Sequence, residues 1–337
     1  MSEKKYFASA NGTEGFVNYF PRVFGGCRRL YVVLGGPGTG KSRFLREVAS
    51  RGREVEAYYC SSDADSLDGV LIDGWLGLVD GTAPHIWNPK RVGAFEQIVN
   101  LGAFWDARLL SASRGEIEAL SARKAACYDE AYAFLAAAGE AERGILSRLL
   151  DVLNAEKLGR AASRLLRGMK GDAACHRKIG LCSALGMKGE AHFDTYERGQ
   201  RCLRIVDHMG TAWVLFEALD RMCAAKGISR RVAPTPLFSG RIEALELSEK
   251  GITFVIGEGE DAIPMKKFFR PERMRPLRRE LRGVREVQAR LKDYALEALS
   301  RAAEAHFALE EIYAAAMDFA AKEEFTDNFI GELFDTK

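Results

Sequence analysis

The 337-residue sequence has no run of about 18 apolar residues, so no segment reads as a bilayer-spanning helix. Its opening, MSEKKYFASANG, lacks the apolar core of a secretion signal. The seven cysteines (Cys27, Cys60, Cys127, Cys175, Cys182, Cys202 and Cys223) contain no C-x-x-C pair and no zinc-ligand spacing. Such a scattered, odd set is expected to serve as small hydrophobes in a reducing compartment, which makes a cytoplasmic location the expectation. Charge of one sign is also lacking: 49 Lys and Arg against 47 Asp and Glu leave +2, which selects no partner globally. Proline is absent over residues 114–169, a stretch that steps through Ile117, Leu120, Tyr128, Tyr132, Leu135, Ile145 and Leu149 at helical intervals.

What is present begins with LYVVLGGPGTGKSRFLREVA. The segment Gly35-Gly36-Pro37-Gly38-Thr39-Gly40-Lys41-Ser42 fits G-x-x-x-x-G-K-[ST] throughout. An apolar strand, Leu30 to Leu34, precedes it, and Phe44, Leu45, Val48 and Ala49 give the following helix one apolar face. Glycines let backbone N–H groups turn inward around phosphate oxygens, and the helix N-terminus adds partial positive charge. Residues Gly36 to Arg43 are thus the expected cradle for the phosphates of ATP or another nucleoside triphosphate. Lys41 would neutralise the transferring phosphoryl group, and Ser42 would ligate Mg²⁺.

A second metal-side group is needed at the end of a neighbouring strand. GWLGLVDGTAPH supplies Asp80 after the apolar run Trp75 to Val79, and Asp80 is the expected Mg²⁺ partner. The adjacent glutamate that polarises water in many motor ATPases is missing, because Gly81 follows. The loop CSSDADSLDG offers Asp63 and Asp65 as candidates for orienting a water or an acceptor hydroxyl. Both also suit plain turn chemistry. His85, after Pro84, reads as structural.

Laid beside residues 1–172, residues 173–337 repeat the order of features. FASANGTEG (Phe7 to Gly15) matches LCSALGMKG (Leu181 to Gly189), and Gly38-Thr39 falls on Gly210-Thr211. A period this long denotes a duplicated domain rather than a solenoid. Lys41 then corresponds to Trp213, Ser42 to Val214, and Asp80 to about Gly257; Pro234 and Pro236 fall near the places of Asp63 and Asp65. The expectation is an α/β protein built from two P-loop NTPase parallel-sheet cores. Residues 1–172 form the active half with a helical segment over 114–170. Residues 173–337 form a degenerate half with a helical segment over 275–325. Trp213 is expected to fill the space phosphates once occupied or to anchor an interface.

Between Pro264 and Lys292 eleven Lys or Arg face three Glu. Arg275, Arg278, Arg282 and Arg285 share one helical face, as do Lys157, Arg160, Arg164 and Arg167. Such stripes fit an anionic polymer, an anionic membrane surface or a solvated helix face, the last being the plainer reading.

The chain resembles a group of poorly characterised bacterial P-loop proteins, known simply as ATPases and built from two tandem halves. Phe7-Ala8 with Gly12 and Gly15, the loop Gly35 to Ser42, Cys60 to Gly69, and Leu78 to His85 carry the resemblance. It implies nucleotide binding at Lys41, Ser42 and Asp80. It names no substrate, and the loss of the second loop departs from the family pattern. An ATPase is the leading expectation. A small-molecule or nucleotide kinase and a nucleotide-dependent nucleic-acid-binding module are the alternatives. Base preference and oligomeric state are not legible.

Overall fold

The computed structural model describes residues 2–171 and 175–334. The chain opens with β1 (Ser2–Phe7), the hairpin β2 (Ser9–Gly12) and β3 (Gly15–Asn18), and the short helix α1 (Phe20–Phe24). β4 (Arg29–Leu34) leads through the glycine loop into α2 (Lys41–Ala49). β5 (Glu54–Tyr59), β6 (Leu67–Ile72), β7 (Leu76–Asp80) and β8 (Glu96–Asn100) complete a sheet, followed by α3 (Ala107–Ala112), α4 (Arg114–Asp151) and α5 (Ala155–Leu165). The second half brings β9 (Arg177–Ile179), the hairpin β10 (Ser183–Gly186) and β11 (Gly189–His192), β12 (Arg201–Val206) and α6 (Ala212–Ala225). Then come β13 (Arg230–Pro234), β14 (Ile242–Leu247), β15 (Ile252–Ile256), β16 (Ile263–Pro264), α7 (Pro271–Ala315) and α8 (Phe319–Phe334).

The first six-stranded sheet runs β1-β5-β6-β7-β4-β8; the second, read from the corresponding edge, runs β9-β13-β14-β15-β12-β16. Directions match strand for strand. β6 is antiparallel to β5 and β7, and β14 is antiparallel to β13 and β15, while every other neighbour is parallel. Even the irregularities coincide, between Tyr58 and Tyr59 and between Ala233 and Pro234. The expected parallel sheets are therefore mixed. The cause is local: left-handed Asp73 (φ 47°) and Gly74 (φ 71°) turn β6 directly back into β7, leaving no room for a crossover helix.

Register sharpens the correspondence between halves. Val33 pairs with Asp80 and Ile205 with Ile256, so Asp80 answers to Ile256 rather than Gly257. Tyr59 opposes Leu67 as Pro234 opposes Ile242. Pro234 thus takes the place of Tyr59, and the counterparts of Asp63 and Asp65 are Phe238 and Gly240.

The halves are interlocked. Phe7 and Leu181, matched in the sequence comparison, exchange reciprocal backbone hydrogen bonds of 2.9 Å. Asp106 N donates to Ala316 O (2.7 Å) and Asp318 N to Phe104 O (2.8 Å), mirrored by Asn154 N to Phe268 O (2.7 Å) and Arg270 N to Val152 O (2.8 Å). Each half's last helix then covers the other half's core. Phe325 and Phe329 of α8 lie on Phe44 of α2, and α5 lies on α6. Full burial of Phe44 contributes about 1.5–3 kcal/mol by area alone.

α4 and α7 pair antiparallel along their length, with Arg123 on Glu304, Glu130 on Arg301, Phe134 on Tyr294 and Arg148 on Glu280. Buried Ala131, Ala138, Ala295, Ala298, Ala302 and Ala305 keep the seam narrow. One charge sits inside this seam. Glu142, 1% exposed, accepts from Arg241 (2.6 Å), Arg285 (2.8 Å) and Gln288 (2.9 Å), and those partners outweigh burial to hold its carboxyl below the usual range. Removing one partner of a buried charge network leaves the others desolvated and unpaired. Glu142→Ala should therefore cost about 3–5 kcal/mol in denaturant unfolding. A cost below about 1 kcal/mol would show that the seam does not depend on this network.

Candidate functional site

β4 is buried because Leu30, Val32 and Val33 are at most 1% exposed, and its carboxyl end delivers the loop 35–42 to one sheet edge. Gly40, at φ +80°, starts α2, a conformation that a side chain would strain. Lys41 folds back: its Nζ donates to the carbonyls of Gly35 and Gly36 (2.8 Å each) and lies 3.5 Å from Asp80 Oδ2. Ser42 Oγ accepts from Leu67 N at 2.9 Å, which leaves a second lone pair free. Thr39 Oγ1 donates to Gly36 O (2.9 Å) and stiffens the loop. Arg43 turns outward to Glu47 and Glu323 and does not face the loop's concavity, because its place on α2 points towards α8.

Asp80 is 8% exposed and accepts from Thr82 N at 2.8 Å. Burial raises its pKa against the opposing pull of Lys41, and Asp68 adds to the rise. Asp68 was missed in the sequence, although an acid inside the apolar run LDGVLI was the available signal. It is 4% exposed and lies 2.9 Å from His85 Nε2. Burial disfavours the His85 cation, yet Asp68 and Asp80 together raise its pKa. His85 is stacked on Phe20, so its place beside the carboxylates is fixed. Asp63 and Asp65 instead share Lys188 of the β10–β11 turn, at 2.7 Å each. That turn also binds by backbone, Met187 N to Ser62 O at 2.8 Å.

The second half covers the loop. A Cβ on Gly38 would collide with the Glu310 carbonyl of α7, and one on Gly36 would meet the Tyr313 ring. Lys322 of α8, 1% exposed, lies beside Gly40. Lys124, His306 and Glu310 complete the polar wall around Lys41.

The counterpart loop, 207–212, is sealed by its own residues. Asp207 accepts from Ala212 N (2.6 Å) and Met209 N (3.1 Å), so a carboxylate takes the amides that would otherwise face an anion. Arg285 donates to Met209 O at 2.9 Å from above. Trp213 is only partly buried and lies under the Arg241 guanidinium (4.9 Å).

Compared with family models, curated proteins and solved structures, the chain finds no match. Among the described residues no helix is long and apolar enough to cross a membrane. Lys267 lies close enough to the first stripe that burial, then Arg164 and Lys157, lower its proton affinity. Arg275, Arg278 and Arg282 are exposed, but Arg285 leaves the stripe to reach Glu142.

His306 gives the covering helix a pH dependence. Burial, followed by Lys124, pushes its pKa down to about 4. From near pH 6.5 down to about 4 the unfolded chain gains a proton that the native chain refuses, so stability falls as pH drops. Between pH 7 and pH 5 the loss should be on the order of 1 kcal/mol after solvent screening, and His306→Gln should remove it. Unfolding midpoints with the same pH slope in both proteins would contradict this assignment.

Proposed function

We propose that the first half binds a nucleoside triphosphate with Mg²⁺ and hydrolyses it, and that this reaction changes how α7 and α8 pack on the loop. One observation carries the reading: β4 and β7 are direct neighbours, which sets Lys41, Ser42 and Asp80 at one point of the sheet edge. The residues fit the cofactor. Positive-φ glycines open the loop amides, Ser42 keeps a lone pair, and Asp80 is a buried carboxylate 3.5 Å from Lys41. The resemblance to tandem P-loop ATPases and the matched topology of the two sheets support a duplicated chain with one competent half.

Bound Mg²⁺ would polarise the phosphoanhydride for attack by water. Lys41 would exchange two loop carbonyls for phosphate oxygens, and Ser42 and Asp80 would hold the cation. Asp63 and Asp65 each meet Lys188 through one oxygen and keep the other for orienting water, which ties that step to the second half's hairpin. Because Glu310 and Tyr313 sit on the loop, nucleotide entry must displace the end of α7. A second reading, binding of an anionic polymer by Lys157, Arg164, Lys267, Arg275, Arg278 and Arg282, rests on the proximity of Lys267 to Arg164 and Lys157 and on the exposure of Arg275, Arg278 and Arg282.

Lys41→Ala should abolish tight ATP binding in calorimetry. Asp80→Asn should lower Mg²⁺-dependent turnover far more than binding, because the amides and Lys41 still hold phosphate. Turnover at the parent rate in Asp80→Asn would remove Asp80 from the metal site. Replacing Asp63 and Asp65 together by Asn should slow turnover and spare binding; unchanged turnover would reduce that loop to turn chemistry.

A further inference from the structure

The carboxyl edge of the first sheet brings together three donors that the nucleotide reading does not use. Cys60 follows β5, Asp68 lies in β6, and His85 sits in the loop after β7. The donor atoms of the three lie within 4.8 Å of one another. Asp68 and His85 are 4% and 5% exposed; Asp68 Oδ2 faces His85 Nε2 at 2.9 Å, and His85 Nδ1 has no hydrogen-bond partner. A buried polar atom left unpaired is costly, and this one belongs to the cluster. The histidine ring is clamped by Phe20 (5.1 Å, stacked) and Phe16 (5.1 Å, edge-on), so little side-chain entropy remains to be lost on coordination.

We propose that Cys60, Asp68 and His85 form a binding site for one transition-metal ion of the Zn²⁺ class. The donor set decides the class. A thiolate and an imidazole select a borderline-soft ion over Mg²⁺ or Ca²⁺, which take oxygen ligands. A four-coordinate ion with bonds of about 2.0–2.3 Å spaces its ligands about 3–4 Å apart, so small side-chain rotations close the set. Three protein ligands leave a fourth position open, as in catalytic rather than structural zinc sites. On binding, the Cys60 thiol loses its proton to solvent and forms the sulfur–metal bond. The thiolate and the Asp68 carboxylate then balance the dication. The site borders Asp80 and Lys41, but its occupancy does not depend on nucleotide, so the two readings fail separately.

The test uses the full chain, stripped with chelator and titrated with Co²⁺ alone. One ion per chain should bind, with a thiolate-to-cobalt band in the near ultraviolet and intense visible bands of four-coordination; Zn²⁺ should then bleach the spectrum. Cys60→Ser should lose the thiolate band, and His85→Ala should bind at least about tenfold more weakly. In the unmutated chain, Zn²⁺ should slow alkylation of Cys60 relative to the other cysteines, read by mass spectrometry, so the test stands even if a variant fails to fold. No thiolate band and no Zn²⁺ protection of Cys60 would overturn the proposal, as would Cys60→Ser keeping both band and affinity.

Discussion

The antiparallel seam of α4 and α7, locked by one buried carboxylate, governs where everything else lies. Glu142 gathers Arg241, Arg285 and Gln288 from the second half, fixing the long helices in one register. That register places the end of α7 on the loop 35–42, and it places Arg285 over the loop 207–212. α8 then follows α7 across to the first core, where Phe325 and Phe329 cover Phe44. The first core is completed by residues of the second, so neither half presents a finished surface alone.

Two loops of one design have taken opposite electrostatic solutions. In the first, Lys41 occupies its own loop carbonyls. In the second, Asp207 supplies the anion internally, and the amides are spent. A carboxylate held by backbone N–H groups is a strong, local arrangement that a dissociable phosphate cannot easily displace. The second half keeps its sheet and contributes the end of α7, a hairpin and Lys188 to the first half's loops.

The glycine loop, Asp80, the two long helical stretches and the repeated order of features were legible because each leaves a local signature of spacing or period. The sheet direction was not, although Asp73-Gly74 between apolar runs was a hairpin signal that outweighed the parallel-sheet pattern. Asp68 and its pairing with His85 escaped because that chemistry arises from contact between β6 and the loop after β7, which no local spacing encodes. The pairing of Asp63 and Asp65 with Lys188, and the diversion of Arg285 from its stripe, are tertiary for the same reason. The alignment of the halves was one to four residues out at Ile256, Phe238 and Gly240, since only strand register fixes such offsets.

The central claim is that nucleotide enters one loop only, beneath helices supplied by the other half. Hydrogen exchange followed by mass spectrometry, with and without Mg·ATP, tests it directly. The account predicts added protection over residues 35–42, faster exchange at the end of α7 and in α8, and no change over residues 207–212. Unchanged exchange over 35–42, or protection appearing over 207–212, would contradict it.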